Sequence, residues 1–428
     1  MEFIKLNEKD FEKASLTLPC SNFHQTIKWG KLKEKNGWIP HFLGVKDKSK
    51  IIAATLLLEK KIFKKFSIFY APRGYLLDFK NERLLKFFTE ELKKFAKEKK
   101  GIFIKIDPYL IHKERNIDGE IIENGIDNHD VVDCLKKLGY VHTGFNLKHE
   151  NMQPRWAFAI NLEGKTEQEV FSNMESKTRQ LIRKNERNKI EIREIGEEEL
   201  SIFKDIMNHT AERRDFIDRP FNYYKNMLEI LGENAKIYIA ELNIENLMEK
   251  TKNEKDENEN TIREKENEII SKKSGINIEK TKKKIEELKV LNQKLDEKII
   301  HYQKIIDTDG KRIILGGIIY MIYNKEILSL FGGCYEKYKE FLSFYTIHWE
   351  MIKYAIKNGY TKYNFYGISG DFKNKKDELY GLYDFKRGFG GNVEEYIGEF
   401  DLIINKPLYF LYKNGYKFYK GTKKKIGK

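Results

Sequence analysis

From about Asn243 to Ile306 the chain contains no proline, phenylalanine or tryptophan, and its charge is dense and mixed. A segment so poor in large apolar residues cannot form a globular core of its own. In its second half Ile285, Leu288, Leu291, Leu295, Ile299 and Tyr302 recur at three- and four-residue steps, which puts them on one helix face. Upstream, Ile244, Leu247, Met248, Thr251, Ile262 and Ile269 hold a rougher stripe, and the SGIN run from Ser274 to Asn277 supplies a break. The pattern predicts an antiparallel helical hairpin over 243–306 that projects from a globular body. An all-coil linker would not need the periodicity of the second half.

The body must then be assembled from the segments on either side. Before the hairpin, Phe42–Val45, Ile51–Leu58 and Phe66–Tyr70 read as strands, Asn81–Lys99 as an amphipathic helix and Ile102–Ile106 as a strand. Asp133–Lys137 starts a short helix ended by Gly139. A second unit has the same grammar. Trp156–Asn161 is a strand, Thr166–Asn185 and Glu197–Arg213 are helices, and Ala235–Glu241 and Arg312–Tyr323 are strands. Thr346–Asn358 is a helix stopped by Gly359, and Lys362–Tyr366 a strand. Two α/β units with mixed sheets in similar order suggest an internally duplicated fold, without a sequence repeat to prove it.

At 428 residues the chain is too long for one ordinary core, and 40% hydrophobic residues with 13% aromatics exclude disorder for most of it. The 80 Lys and Arg outnumber the 66 Asp and Glu, for a formal charge of +14. Heavy use of Lys, Ile and Asn fits an AT-rich genome and accounts for part of that bias. The remainder favours a polyanionic partner: nucleic acid, anionic lipid or a pyrophosphate-bearing substrate. The most cationic stretch, Lys413 to Lys428, reads as a solvated tail or as contact with an acidic membrane face.

Conventional catalytic devices are missing from the sequence. There is no HExxH, GxSxG or Walker loop, and the three cysteines (Cys20, Cys134, Cys334) have no ligand spacing. His142 and His149 lack a third ligand and read as ordinary surface or loop histidines. The glycines at 332–333 and 388–391 either give backbone amides close approach to an anion or serve turns. The opening MEFIKLNEKDFEK has no apolar h-region and the longest apolar runs are strand-length. The expected location is cytoplasmic, working against the inner membrane face.

More specific are seven blocks of sequence. They are FHQTIKWGKLK from Phe23 to Lys33 followed by Gly37 and Trp38; YAPRG from Tyr70 to Gly74; FIKIDP from Phe103 to Pro108; and QPRW from Gln153 to Trp156. Then come MESKTRQLIRK from Met174 to Lys184; TAER from Thr210 to Arg213 with Arg219 and Tyr223; and GLYDFKRGFG from Gly381 to Gly390. In this order they closely resemble the FemABX family of peptidoglycan bridge-forming aminoacyltransferases, over nearly the whole chain.

The resemblance implies two tandem acetyltransferase-like (GNAT-like) α/β domains with an inserted helical-hairpin arm. The expected boundaries are 1–150 plus 398–428 for the first domain, 151–242 plus 307–397 for the second, and 243–306 for the arm. The arm matches the subgroup that extends interpeptide bridges and so favours a lipid-linked acceptor. A coenzyme-A loop is approached only by Arg387–Asn392, where Asn392 stands in place of a small residue. That fits exchange of acetyl-CoA for aminoacyl-tRNA as co-substrate, with no other cofactor.

The implied reaction is aminolysis of the tRNA ester by the side-chain amine of the third stem-peptide residue, on lipid II or on a bridge already begun there. The amino acid transferred would be Gly, Ala or Ser. An ester is already activated, so no ATP, metal or covalent intermediate is required. Alternatives are the same chemistry on soluble UDP-MurNAc-pentapeptide, or a relative that binds tRNA or precursor without turnover. A bridge-altering immunity factor would use the same chemistry. Oligomeric state is left open.

By the same resemblance Lys386 contacts the aminoacyl ester end or its developing oxyanion, where a surface lysine is the plain alternative, and Phe385 packs on the terminal adenosine, shapes the pocket or, equally, packs in the core. Lys33, Arg219 and Tyr223 match positions that hold the acceptor's phosphates and sugar-peptide portion. Asp107 either accepts the amine's proton or caps a turn, and Arg73 is a further cleft candidate. The basic run Lys177–Lys189, with Arg179, Arg183 and Lys184, reads as a solvated helix face or as a contact for tRNA or lipid phosphate. The arm resembles the tRNA-binding hairpin of seryl-tRNA synthetase in outline; partner binding or dimer contact would explain it equally.

Overall fold

The structure, a computed structural model, describes residues 1–62, 65–148, 152–271, 275 and 277–415. Its strands form two sheets. The first has the order β1-β2-β3-β4-β5-β15-β7, built from Glu2–Lys5, Ile39–Asp47, Lys50–Ile62, Phe66–Ala71, Gly101–Ile106, Phe400–Ile403 and Tyr140–His142. The second has the order β6-β14-β8-β13-β12-β11-β10-β9. Its strands are Ile111–Glu114, Asn392–Tyr396, Trp156–Asn161, Lys362–Gly367, Glu326–Cys334, Arg312–Tyr323, Ala235–Asn243 and Glu191–Ile195.

The helices are α1 (Glu8–Thr17), α2 (Ile27–Glu34), α3 (Glu82–Glu98), α4 (His129–Lys137), α5 (Glu167–Asn173), α6 (Ser176–Arg187), α7 (Leu200–Arg214) and α8 (Phe221–Leu231). There follow α9 (Ile244–Ile270), α10 (Ile278–Asp309), α11 (Ser343–Lys357) and α12 (Tyr380–Arg387).

Both sheets are antiparallel except at one described pair each: β4 with β5, and β12 with β13. A parallel pair needs a crossover, and here it is a helix each time: α3 in the first half and α11 in the second. The apolar face of α3, with Leu84, Leu85, Phe88, Leu92 and Phe95, is buried on the first sheet. In the first half the parallel pair runs to the ends of both strands, at Ala71 and Ile106; in the second it comes apart, the pairing of β12 with β13 ending at Leu328 and Asn364 although both strands run on. Crevices outside the carboxyl ends of parallel strands are the ligand sites of open sheets. The duplicated α/β grammar is thus a pair of GNAT-like halves, the second with its parallel strands parted.

The halves are joined more deeply than separate sequence units suggest. One core contains Phe11, Phe23, Trp29 and Leu32 of the first half together with Phe203, Tyr224, Ile237 and Ile319 of the second. The segment 111–114, expected with the first domain, instead pairs with β14 and forms the edge of the second sheet. β15, from the far end of the chain, returns to the first sheet between β5 and β7.

The expected single helix Thr166–Asn185 is two. Met174 is extended (ψ 154°) between α5 and α6, and Gly390, at φ 77°, brings its backbone against Asn173 so closely that a Cβ would lie 2.5 Å from its carbonyl oxygen. Gly333 likewise admits Thr210 of α7, whose Oγ1 would stand 2.0 Å from a Cβ. These glycine runs serve close packing. The stretch Arg387–Asn392 leads from α12 into β14 and does not open a helix.

The arm is present as α9 and α10, 27 and 32 residues long, or about 40 and 48 Å at 1.5 Å per residue. Its cross-links run in opposite senses along the chain, Lys255 to Asp296, Asn258 to Asn292 and Glu266 to Lys289, so the helices are antiparallel. The seam differs from the sequence reading at one position. Leu291 is exposed, and Asn292 is buried and accepts a 2.9 Å hydrogen bond from Asn258. The inward set Ile285, Leu288, Asn292, Leu295, Ile299, Tyr302 follows strict alternating steps, and Leu291 lies off it. Leu295→Ala, at a site 2% exposed, is expected to cost the hairpin about 2–4 kcal/mol. Trypsin should then cleave within the arm faster while the body stays resistant; an unchanged digest would mean that this stripe does not hold the arm.

Candidate active site

Where β4 ends, the chain turns through Pro72 and Arg73, with Arg73 in the left-handed region at φ 53°. The turn is braced from β5. The Arg73 N–H donates to Asp107 Oδ1 at 2.6 Å, and the Tyr70 hydroxyl donates to Asp107 Oδ2 at 2.7 Å. Asp107 is 3% exposed. Burial pushes its carboxyl up to about 6, against the opposing charge of Arg73 and the Tyr70 hydrogen bond.

So braced, the Arg73 side chain crosses into the second half. Its Nη2 donates to the Pro154 carbonyl at 2.7 Å, and its guanidinium lies 4.4 Å from the Tyr396 ring and 5.8 Å from that of Tyr109. Beneath it, Tyr109 donates to Glu326 at 2.6 Å and accepts from Lys362 at 2.7 Å. A small cavity at this seam is lined from both halves, by Asn22, His24, Arg73, Tyr109, Asn364, Tyr366 and Tyr396 among others.

On one side of this seam is a pair of cations. Lys33, on α2, lies with its ammonium 4.3 Å from the Trp29 ring and 5.5 Å from the Tyr223 ring, and donates to the Tyr223 hydroxyl at 3.4 Å. Arg219 approaches the same Tyr223 ring at 5.3 Å. Among the described residues no carboxylate lies within ion-pair distance of either. Burial, and then the Arg219 charge, pushes Lys33 down to about 8. Two cations placed on one tyrosine without a counter-charge form a site whose own repulsion an anion relieves.

The other side holds Lys386, on α12 and 5% exposed. Its Nζ donates to the carbonyls of Phe365 and Gly367 at 2.7 Å and of Tyr366 at 3.4 Å. Burial alone pushes it down to about 7; three carbonyls nevertheless match the three N–H groups of the ammonium form. The strand segment it grips carries Tyr366 at φ 65°. The Tyr366 hydroxyl donates to Gln153, which also reaches Tyr70. Lys386 is therefore connected to the Asp107 brace through Tyr366, Gln153 and Tyr70. Phe385 is half-buried among Tyr345, His348 and Phe389, with ring centroids 4.9 to 5.6 Å away.

The residues singled out from sequence thus fall into three groups. Lys33, Arg219 and Tyr223 are in mutual contact, Arg73 and Asp107 are bonded, and Lys386 with Phe385 lies behind Tyr366. Arg179, Arg183 and Lys184 are on α6, whose start is tied to the end of α12 by a 2.9 Å hydrogen bond from Glu175 N–H to the Gly388 carbonyl. Arg179 clamps the carbonyls of Ser172 and Met174, whereas Arg183, Lys184, Lys177 and Arg187 are exposed.

Sequence reading missed Tyr70, Gln153, Tyr366 and His24 as site residues. Tyr70, Gln153 and His24 stand inside the quoted blocks, which was the available signal; Tyr366 depends on a left-handed backbone that sequence does not announce. Burial, with Arg73 and Lys33 nearby, holds His24 well below its usual range, so it stays neutral. His142 is hydrogen-bonded through Nε2 to the Ile397 carbonyl at 3.0 Å; His149 and most of the run 413–428 lie outside the described residues.

Two GNAT-like halves in tandem thus meet at this braced seam. The chain belongs to the FemAB family, whose sequence profile matches residues 6–417. The aminoacyltransferase FemA of Staphylococcus epidermidis is 31% identical over 416 residues, covering 96% of this chain and 98% of that protein. FemA of Staphylococcus aureus is 31% identical over 417 residues, covering 96% and 97%. A crystal structure of FemX matches with a TM-score of 0.74 at 26% identity, over 96% of this chain and 99% of that one. The chain is accordingly an aminoacyltransferase.

The charge of Lys33 is present below about pH 8 and lost as pH rises through that value. Affinity for sulfate, an anion whose charge is constant across that range, is expected to fall as pH rises through it when measured by calorimetry. Lys33→Arg, which keeps its charge, should bind with a flat profile; a wild-type profile equally flat would remove Lys33 from the anion site.

Proposed function

We propose that the chain transfers an amino acid, Gly, Ala or Ser, from aminoacyl-tRNA to the third-residue amine of a lipid-linked peptidoglycan precursor, or to a bridge already begun there. The observation that carries this reading is the pair Lys33 and Arg219 on Tyr223, with no carboxylate in ion-pair distance among the described residues, beside a seam cavity lined by Tyr366, whose carbonyl Lys386 contacts from behind. The pair takes the acceptor's phosphates and fixes where its stem peptide enters. The names of the relatives supply the transferred group.

In the reaction the acceptor amine attacks the ester carbonyl. The C–N bond forms, the C–O bond to the ribose breaks, and the amine's proton leaves with the ribose oxygen. Lys386 serves the developing oxyanion by exchanging for it the longest of its three carbonyl contacts, the one to Tyr366 at 3.4 Å. Phe385 offers the exposed part of its ring to the tRNA end. The exposed cations of α6 follow on directly from α12 and suit the tRNA backbone. Asp107 acts as a positioning residue, since both of its oxygens are engaged within the protein. The reaction is assigned to the cytoplasmic side, where charged tRNA is found.

The test follows labelled amino acids from a pool of charged tRNAs to purified lipid II and, separately, to UDP-MurNAc-pentapeptide. Wild type should label lipid II, and Lys386→Ala should lose about 10²–10³-fold in rate. Because Lys386 also holds three carbonyls, its replacement is expected to cost about 1–3 kcal/mol; transfer lost by a variant that is folded at the assay temperature separates the two roles. Label in the soluble precursor alone would overturn the lipid-linked acceptor. Label in neither, with charging verified, would leave a binding protein.

Asp107→Asn keeps an acceptor for the Arg73 N–H. It should retain transfer within about tenfold of wild type with the acid limb of the pH–rate profile unmoved. A loss of about 10²-fold or more together with disappearance of a limb near pH 6 would make Asp107 the general base.

A further inference from the structure

The turn that carries Arg219 has a second feature that amino-acid transfer leaves unused. Residues 215–220 join α7 to α8, and around them Phe216 is 45%, Ile217 90% and Phe221 39% exposed. Single exposed apolar residues are ordinary; three so close together on one turn mark a contact surface.

The turn is held in this posture. Phe216 N–H donates to the Ala211 carbonyl at 3.1 Å. Asp218 accepts from the Tyr224 hydroxyl at 2.6 Å and pairs with Lys204, whose Nζ also donates to the Arg219 carbonyl at 2.8 Å. With its base so fixed, the apolar tip points outward. Exposed charges of both signs flank it, Arg214 and Arg219 beside Glu212 and Asp215, and Arg213 pairs with Glu336 at 2.7 Å.

Position decides the partner. Ile217 is two residues from Arg219, so their Cα atoms are within about 7 Å of each other. An acceptor whose phosphates rest on Lys33 and Arg219 while its lipid stays in the bilayer therefore brings this tip to the bilayer surface. An RNA helix, met through its phosphates and 2′-hydroxyls, gives the aliphatic Ile217 at the tip little to bury in, and Ile217 cannot stack on a base as a ring does. A soluble acceptor requires no apolar tip at all.

We propose that the 213–221 turn is a membrane-docking element, with Phe216, Ile217 and Phe221 entering the headgroup–acyl boundary of an anionic bilayer and Arg214 facing its phosphates. The choice of a bilayer rests on the lipid-linked acceptor reading above. The docking also sets the orientation in which the phosphate site faces the membrane.

The experiment is sedimentation of the full-length chain with vesicles of phosphatidylglycerol and phosphatidylcholine, against phosphatidylcholine alone, with no substrate present. Wild type should bind the anionic vesicles more tightly. Ile217→Ser should weaken that binding about tenfold, and Ile217→Trp should show a blue-shifted emission when vesicles are added. Transfer by Ile217→Ser to a detergent-solubilised acceptor should match wild type. If Ile217→Ser sediments like wild type and the Ile217→Trp emission does not move, the proposal is overturned, and any vesicle binding belongs to another surface. If the substitution weakens tRNA binding and leaves vesicle binding intact, the turn is a nucleic-acid contact and the proposal is likewise overturned. Because the vesicle assay contains no acceptor, failure of the lipid II transfer reaction and failure of docking are read separately.

Discussion

A buried guanidinium holds the two halves of this enzyme in register. Arg73 leaves the first sheet just past the end of its parallel strands, and its side chain ends on the Pro154 carbonyl and the Tyr396 ring of the second half. The residue can do this because Asp107 holds its backbone in a left-handed turn from the neighbouring strand. Asp107 reaches Arg73 through its backbone N–H, so the buried guanidinium itself rests on the Pro154 carbonyl and the tyrosine faces, with its Nε left without a hydrogen-bond partner among the described residues. The cavity, the Tyr366–Gln153–Tyr70 connection and the approach from the Lys33 side all depend on the separation that this contact sets.

Around the seam, charge is distributed unevenly, and the unevenness is what makes the crevice functional. Most described cations near carboxylates are paired, as Lys362 is with Glu326 and Glu394 and Lys105 with Asp401. Lys33 and Arg219 are not, and Lys33 bears the cost as a lowered pKa. Lys386 has no carboxylate either and relies on carbonyl oxygens. On the proposed reading, a substrate with phosphates at one end and a developing oxyanion at the other would meet positive charge at both, with aromatic walls between.

Much of the architecture was legible because it rests on periodicity. The arm followed from three- and four-residue spacing, and even its one misreading, Leu291 for Asn292, came from following hydrophobicity one residue off an otherwise strict heptad. The strand limits of β8 and the α3 helix were equally plain. The division of Thr166–Asn185 was not, since the break at Met174 is driven by the distant backbone of Gly390. Nor was the transfer of 111–114 to the second sheet, which depends on a partner strand almost three hundred residues away.

The site divides in the same manner. Resemblance in short blocks picked out Lys33, Arg73, Asp107, Arg219, Tyr223 and Lys386, because each stands in a local pattern of sequence. It could not say that Asp107 would serve Arg73, that Lys386 would be turned toward carbonyls, or that Tyr366 would link them. The sequence by itself determined which segments become helices and strands, since burial on one face imposes a period that can be counted along the chain. Tertiary structure alone decided which charges remain unpaired and which are buried together, because pairing and desolvation depend on distances through space between segments that the chain order keeps far apart.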